Sequence, residues 1–242
     1  DVISTSFALA KKLKKVGVLA KVCFGFIGNR MMDPYAREAE RMALEGALPA
    51  EVDAALEEFG MAMGILAVFD MSGVDVGVKA RRANPERQPA DDPTFYRASQ
   101  LLFDQNWLGQ KSGKGYYRYE AGSRERLQHD EALKVLADEG TKLGVVRSAP
   151  ITRDEIIERC VYTMINEGAH ILEEGVALRP GDIDTVYTAG YGFPRRKGGP
   201  MFYADQIGLD TVVAGLHKHA KGRKASDFEP APLLKKLAQS GS

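Results

Sequence analysis

Thiols are scarce in this sequence of 242 residues, and long apolar runs are missing altogether. The two cysteines, Cys23 and Cys160, lie far apart with no second thiol or histidine at ligand spacing. That excludes a disulfide framework or a zinc site and fits a reducing compartment. Neither sign of charge is in excess, with Lys plus Arg and Asp plus Glu at 33 each. No global field therefore draws the chain to nucleic acid or to an anionic membrane. No stretch approaches the roughly 18 apolar residues of a membrane span, and FALAKKLKK near the start is too short and too charged for a signal peptide. A phosphate-binding turn is missing too. G-x-G-x-x-G does not occur, and GQKSGKG at 109–115 has the wrong spacing for a phosphate loop, so Lys111 and Lys114 read as a solvated turn. His129 and His170 stand alone, while His217 and His219 sit at a basic helix end with no carboxylate pattern to tune them. The aspartates, Asp53, Asp70, Asp75, Asp184, Asp205 and Asp210, mostly fall at helix starts and read as caps.

What the sequence does contain is helix. Ser4, Thr5 and Ser6 offer caps to an amphipathic pattern through Phe7, Leu9, Leu13 and Val16 that stops at Gly17, and VLAKV at 18–22 then reads as a strand. One helix and one strand cannot bury a sheet face, so this segment is expected to complete a sheet lying upstream. The chain opens on Asp with this pattern already under way, as expected of a piece of something longer. From residue 27, Ile27, Met31, Tyr35, Ala39, Met42 and Ala43 share one helical face, with Arg37, Glu38, Glu40 and Arg41 assigned to the others. Pro34 lies inside this helix and removes a bond to the carbonyl of Arg30, so the helix is expected to kink there or to start only a turn before it. Gly46 ends it, and Pro49 to Gly60 bracket the next. Further helical patterns follow, one broken at Ser72-Gly73, with a Gly-rich turn and a short extended segment, YYRY, before a linker at AGSRE. Thr152 and Glu155 form a T-x-x-E capping box for a helix reaching Gly175. The remaining patterns run to Gly222 and from Pro232 to Gly241.

The chain repeats itself. DMSGVD at 70–75 returns as DQIGLD at 205–210, and Gly64 pairs with Gly199 at the same offset. E-x6-E-G occurs as Glu38, Glu45, Gly46 and again as Glu167, Glu174, Gly175. Two copies of one helical unit, each with an apolar face to cover, are expected to cover each other about a pseudo-twofold axis. In this alignment Arg30 faces Arg159, but Asn29 faces Glu158. The arginine recurs and the asparagine does not, which gives Asn29 in GFIGNR the stronger claim to a role beyond the fold, with helix capping as the alternative.

GFIGNRMMDPYAREAERMALEGALPAEVDAALEEFGMAMG, followed by FDMSGVD, resembles the C-terminal domain of the L-3-hydroxyacyl-CoA dehydrogenase family. The stretch from ERCVYTMINEGAHILEEG to FYADQIGLD resembles the second copy of that domain in bifunctional enoyl-CoA hydratase/3-hydroxyacyl-CoA dehydrogenases of the peroxisomal and bacterial type. The resemblance implies a mainly α fold. Two tandem copies (25–122 and 123–242) would pack as a pseudo-dimer behind the last helix and strand (1–24) of a Rossmann domain. It implies the substrate-binding part of an NAD-dependent 3-hydroxyacyl-CoA dehydrogenase of fatty-acid β-oxidation, acting on acyl-CoA. NAD and a catalytic His-Glu pair would belong to the upstream Rossmann domain, so the isolated chain is expected to be inactive. Implied partners are the upstream Rossmann and hydratase domains and a thiolase. Asn29 matches the asparagine of the family's G-F-[IV]-x-N-R motif, which orients the substrate and the catalytic histidine, and Met63 and Gly64 are implied substrate contacts. Their segment, Ala62 to Leu66, lacks both prolines of the family's P-M-G-P-[FL] pattern. The QSGS terminus is not a peroxisomal S-K-L address, so a bacterial cytoplasm is expected, with the peroxisome as the alternative. The competing expectation is a helical assembly module without catalytic duty, favoured by the repeat and opposed by the single-copy Asn29.

Overall fold

Glycine and proline punctuation sets the element order. Gly46 and Gly60 adopt left-handed φ values of 113° and 117° and stop the helices before them, and Pro49 opens the helix between. In the computed structural model, which describes residues 1–89, 91–220 and 228–240, α1 (Val2–Lys12) precedes a first run of five helices. These are α2 (Gly28–Glu45), α3 (Pro49–Phe59), α4 (Ile65–Ser72), α5 (Val74–Arg82) and α6 (Arg97–Asp104). A connector helix, α7 (Asp130–Leu143), leads to a second run: α8 (Arg153–Glu173), α9 (Pro180–Gly190), α10 (Pro200–Ile207), α11 (Leu209–Ala220) and α12 (Pro232–Ser240). The two runs match helix for helix, as the repeat requires. The patterns expected to reach Gly222 and Gly241, and the end of QSGS, extend outside the described residues.

α2 and α8 form the centre, and they cross antiparallel. Arg30 at the start of α2 donates to Glu167 (2.5 Å) and to both oxygens of Glu174 (2.6 and 2.8 Å) at the end of α8. Arg159 at the start of α8 donates to Glu38 (2.8 Å) and to both oxygens of Glu45 (2.6 and 3.1 Å) on α2. Each arginine therefore holds the E-x6-E of the other copy, the reciprocity that a twofold axis generates. Arg159 is fully buried, and its guanidinium is held well above its ordinary range by the facing carboxylates despite the desolvation that opposes this. Glu38 and Glu40, expected on solvent faces, are buried instead. A charge inside is tolerated where a fixed partner meets it, and Glu38 has Arg159. Met31, Ala39 and Met42 of α2 and Cys160, Met164 and Ile165 of α8 line the same core.

Two local expectations change. VLAKV is not a ladder strand: it forms one isolated antiparallel bridge, Ala20 with Ala177, beside the Lys21 N–H donating to the Val176 carbonyl (2.9 Å). No named strand exists among the described residues to extend it. α1 begins at Val2 and ends at Lys12, so Ser4, Thr5 and Ser6 lie within it rather than before it. α2 begins at Gly28, close to the residue 27 expected, and continues through Pro34. Of the expected T-x-x-E box the N-cap half forms, Thr152 Oγ1 accepting from the Glu155 N–H (3.2 Å), while the Glu155 carboxylate pairs with Arg147 and Arg159. The break at Ser72-Gly73 also forms, on a positive φ of 100° at Gly73.

Aspartate capping is real but comes from a neighbouring helix. Asp53, inside α3, accepts the Leu66 and Ala67 N–H groups (3.0 and 2.9 Å) at the start of α4. Asp184, inside α9, accepts the Met201 N–H (2.8 Å) at the start of α10 in the second copy. Asp70 accepts the Tyr116 and Tyr117 N–H groups (both 2.9 Å) and the Tyr119 hydroxyl (3.0 Å), which fastens YYRY to α4. Lys111 and Lys114 are not a free solvated turn, since they are ion-paired to Asp75 and Glu131.

Candidate functional site

The segment before α2 turns sharply. Gly25 (φ 74°) and Phe26 (φ 49°) both sit in the left-handed region, and a Cβ at Gly25 would lie 2.7 Å from the Arg30 nitrogen. This tight entry sets Asn29 in the first turn of α2, exposed, while Ile27 beside it is buried. Asn29 is not a cap. The N-cap position is Ile27, without a side-chain capping bond, and Asn29 Oδ1 instead accepts a hydrogen bond from the Tyr191 hydroxyl (2.7 Å). Tyr191 follows α9, so a residue of the second copy meets the single-copy asparagine of the first. Arg30 anchors the same turn to α8 through its three bonds to Glu167 and Glu174.

Asn29 borders a cavity of about 420 Å³ between α2, α4, α5 and α6. Phe24, Met32, Val68, Phe69, Val74 and Phe95 give it an apolar wall. Its far end is polar: Glu40 accepts the Ser99 N–H (3.0 Å), and Arg81 donates to Ser99 Oγ (2.7 Å) while lying over the Tyr96 ring at 3.8 Å. Burial pushes the Glu40 carboxyl above its ordinary range, against the pull of Arg81 and Ser99. An apolar chamber with a hydrogen-bonding amide at its border suits a ligand with a hydrocarbon tail and a polar head.

The other residues expected at the site lie elsewhere. Met63 lines a separate depression of about 310 Å³ with Met61, Met71 and Arg126. Gly64 precedes α4, its N–H bonded to Glu57 (2.9 Å), and a Cβ there would overlap the Asp53 side chain. His219 is not without a carboxylate: its Nε2 lies 2.7 Å from Glu158, which Lys218 also contacts at 2.8 Å. Burial holds the His219 pKa below its ordinary value, against the pull of Glu158. Glu158 is the repeat counterpart of Asn29, so what reaches toward a cavity in one copy is bound to a helix end in the other. Sequence reasoning missed Tyr191, 162 residues from Asn29. The only signal available was its place at the end of α9, in the TAGYGFPRRKGGP insertion by which the second copy is longer.

The family profile described as "3-hydroxyacyl-CoA dehydrogenase, C-terminal domain" matches residues 25–119 and 156–242. Similar curated proteins include the peroxisomal bifunctional enzyme of Homo sapiens, 41% identical over 251 residues that cover 99% of this chain and 35% of that protein. The fatty acid oxidation complex subunit alpha of Psychrobacter sp. (strain PRwf-1) is 33% identical over 244 residues, covering 100% of this chain and 33% of that protein. The chain thus spans only 35% and 33% of the length of these relatives. Among solved structures, the dehydrogenase part of multifunctional enzyme 1 from C. elegans superposes with a TM-score of 0.74 at 28% identity, covering 97% of this chain and 52% of that one. 3-Hydroxybutyryl-CoA dehydrogenase from Escherichia coli K12 shares the fold, with a TM-score of 0.77 at 23% identity and coverage of 99% and 65%. No helix among the described residues is long and apolar enough to cross a membrane.

Proposed function

The chain belongs to the 3-hydroxyacyl-CoA dehydrogenase family through its C-terminal domain, and from that premise we propose that it forms the substrate-binding, dimer-like part of an NAD-dependent enzyme oxidising 3-hydroxyacyl-CoA to 3-oxoacyl-CoA. The observation that carries this is Asn29, exposed at the border of an apolar cavity and held by a bond to its oxygen alone among the described residues. Its amide N–H groups would donate to an oxygen of the substrate's 3-hydroxyacyl head while the acyl tail enters the cavity. An amide neither takes nor gives up a proton near neutral pH, so Asn29 orients the reacting groups and is not the base.

The residues present do not fit NAD, because the chain has no glycine-rich dinucleotide turn. We assign NAD and the base to an upstream dinucleotide-binding domain that residues 1–24 complete, a role in keeping with the exposure of the apolar residues Phe7, Leu9, Leu13, Val16 and Val22. Partner domains in the same polypeptide, a hydratase among them, accord with the names of the bifunctional relatives.

The test is Asn29→Ala in the polypeptide that carries both domains, following NADH oxidation with acetoacetyl-CoA. A fall in kcat of about 100-fold with a smaller rise in KM is expected for a group acting mainly in the transition state. An unchanged kcat would remove Asn29 from the chemistry. The isolated chain should show no turnover, and it should melt higher on adding acyl-CoA. No thermal shift would favour the assembly-module reading, which the reciprocal arginine clamps also accommodate.

A further inference from the structure

The Asn29 amide has two orientations differing only in which of oxygen and nitrogen faces the cavity, and their shapes are nearly identical. Something must choose between them. The Tyr191 hydroxyl is 2.7 Å from Oδ1. A phenol is a stronger donor than acceptor, and the oxygen of an amide is its strong acceptor. The bond therefore favours Oδ1 toward Tyr191 and leaves both Nδ2–H groups for a ligand.

Tyr191 is itself held from two sides. Its ring stacks on Tyr187 with centroids 5.1 Å apart and planes 27° from parallel. Tyr187 is fully buried and donates its hydroxyl to the Gly28 carbonyl (3.0 Å), so the stack is fastened to the residue adjoining Asn29. Gly28 has no side chain where the Tyr191 ring lies, and a Cβ there would overlap the ring. Such packing on both sides of a ring, combined with a hydroxyl directed at one atom, amounts to a built support and not a chance surface contact.

We infer that Tyr191, contributed by the second copy, is a positioning residue for the reaction, fixing the Asn29 amide with its N–H groups directed at the substrate. The inference rests on the proposed role of Asn29. It gives the second copy a duty at the site beyond covering an apolar face.

Tyr191→Phe keeps the ring and its stack and removes only the hydroxyl. In the polypeptide carrying the dinucleotide domain, kcat for acetoacetyl-CoA reduction should fall about 10-fold with KM changed less than about 2-fold, since a misdirected amide is missed mainly in the transition state. The melting temperature should move by no more than about 2 °C, which sets the loss apart from a structural one. Tyr191→Phe added to Asn29→Ala should cost nothing more, because the hydroxyl acts only through that amide. A wild-type kcat for Tyr191→Phe, or a full further loss in the double variant, overturns the inference. If Asn29→Ala alone leaves kcat intact, the underlying role of Asn29 fails instead, and the two failures are told apart. Asn29→Asp provides a variant that leaves Tyr191 untouched: it keeps an acceptor for the hydroxyl and removes both N–H donors. Its kcat should be as low as that of Asn29→Ala, and recovery to more than about a tenth of wild type would refute the assignment of Nδ2 to the substrate.

Discussion

Replacing Arg159 by Met isolates the energetic weight of the interface between the copies. The guanidinium is fully buried and contacts Glu38 at 2.8 Å, Glu45 at 2.6 and 3.1 Å, and Glu155 at 3.3 Å. Met fills most of the volume, so the loss is electrostatic and not a cavity. Glu45 retains Arg41, 2.9 Å away, whereas Glu38 loses the guanidinium that faces it inside the core. Removing one partner of a buried ion pair costs about 3–5 kcal/mol. At about 2–4 °C per kcal/mol for a chain of this size, the melting temperature should drop by about 6–20 °C. Arg30→Met is the internal control, because its partners Glu167 and Glu174 have side chains 23% and 50% exposed, against 5% for Glu38 and Glu45. After allowing for solvent screening, that loss should be about 1 kcal/mol. Urea unfolding followed by far-ultraviolet circular dichroism, with the slope m held in common, measures both. Adding Glu38→Gln to Arg159→Met should restore part of the loss by neutralising the buried carboxylate that faced the guanidinium. Equal costs for the two arginines, or no recovery from Glu38→Gln, would refute the claim that burial of the charge governs the energetics.

Burial raises the carboxyl of Asp70 to about 7 and that of Asp53 to about 6, against about 4 in an unfolded chain. Between about pH 4 and 7 the native state then holds more protons than the unfolded one, so these groups stabilise most at the acid end and less as pH rises through 6 and 7. His219, held below its ordinary value by burial, works in the opposite sense, so the test is a difference: Asp70→Asn should remove a slope of up to about 1.4 kcal/mol per pH unit from the urea-derived stability between pH 5 and 7. Identical slopes in the two proteins would count against the raised Asp70 value. Gly109 adopts φ 88° with its missing Cβ directed into the Asp70 backbone; Gly109→Ala should cost about 2–3 kcal/mol, and thermal melts within about 2 °C of wild type would contradict this.

Much of the fold was legible from local chemistry. Thr152 with Glu155, Gly46, Gly60 and Pro49 act within a turn of their own helices, so their meaning is written beside them. The repeat disclosed that Arg30 and Arg159 are equivalent, and the recurring E-x6-E supplied their partners, but the cross-pairing was not legible because it depends on α2 and α8 running antiparallel. Glu38 looked solvent-facing for the same reason: its cation lies 121 residues away. Aspartate caps were the right function in the wrong place, since Asp53 and Asp184 cap the helix that follows their own and not the one they lie in. VLAKV has strand composition, yet a strand is defined by its neighbours, and among the described residues only Ala177 bridges to it. At the site, the motif singled out Asn29, while Tyr191, His219 with Glu158, and the cavity itself come from contacts between distant segments.

A pair of separate subunits would carry every substitution twice and would come apart on dilution. Here both arginine clamps sit in one polypeptide, so the association is independent of concentration, and either half can change alone. Asn29 of one half borders the cavity; at the equivalent place in the other half, Glu158 is bound by His219 and Lys218. Covalent linkage lets the two halves of a symmetric body differ in this way.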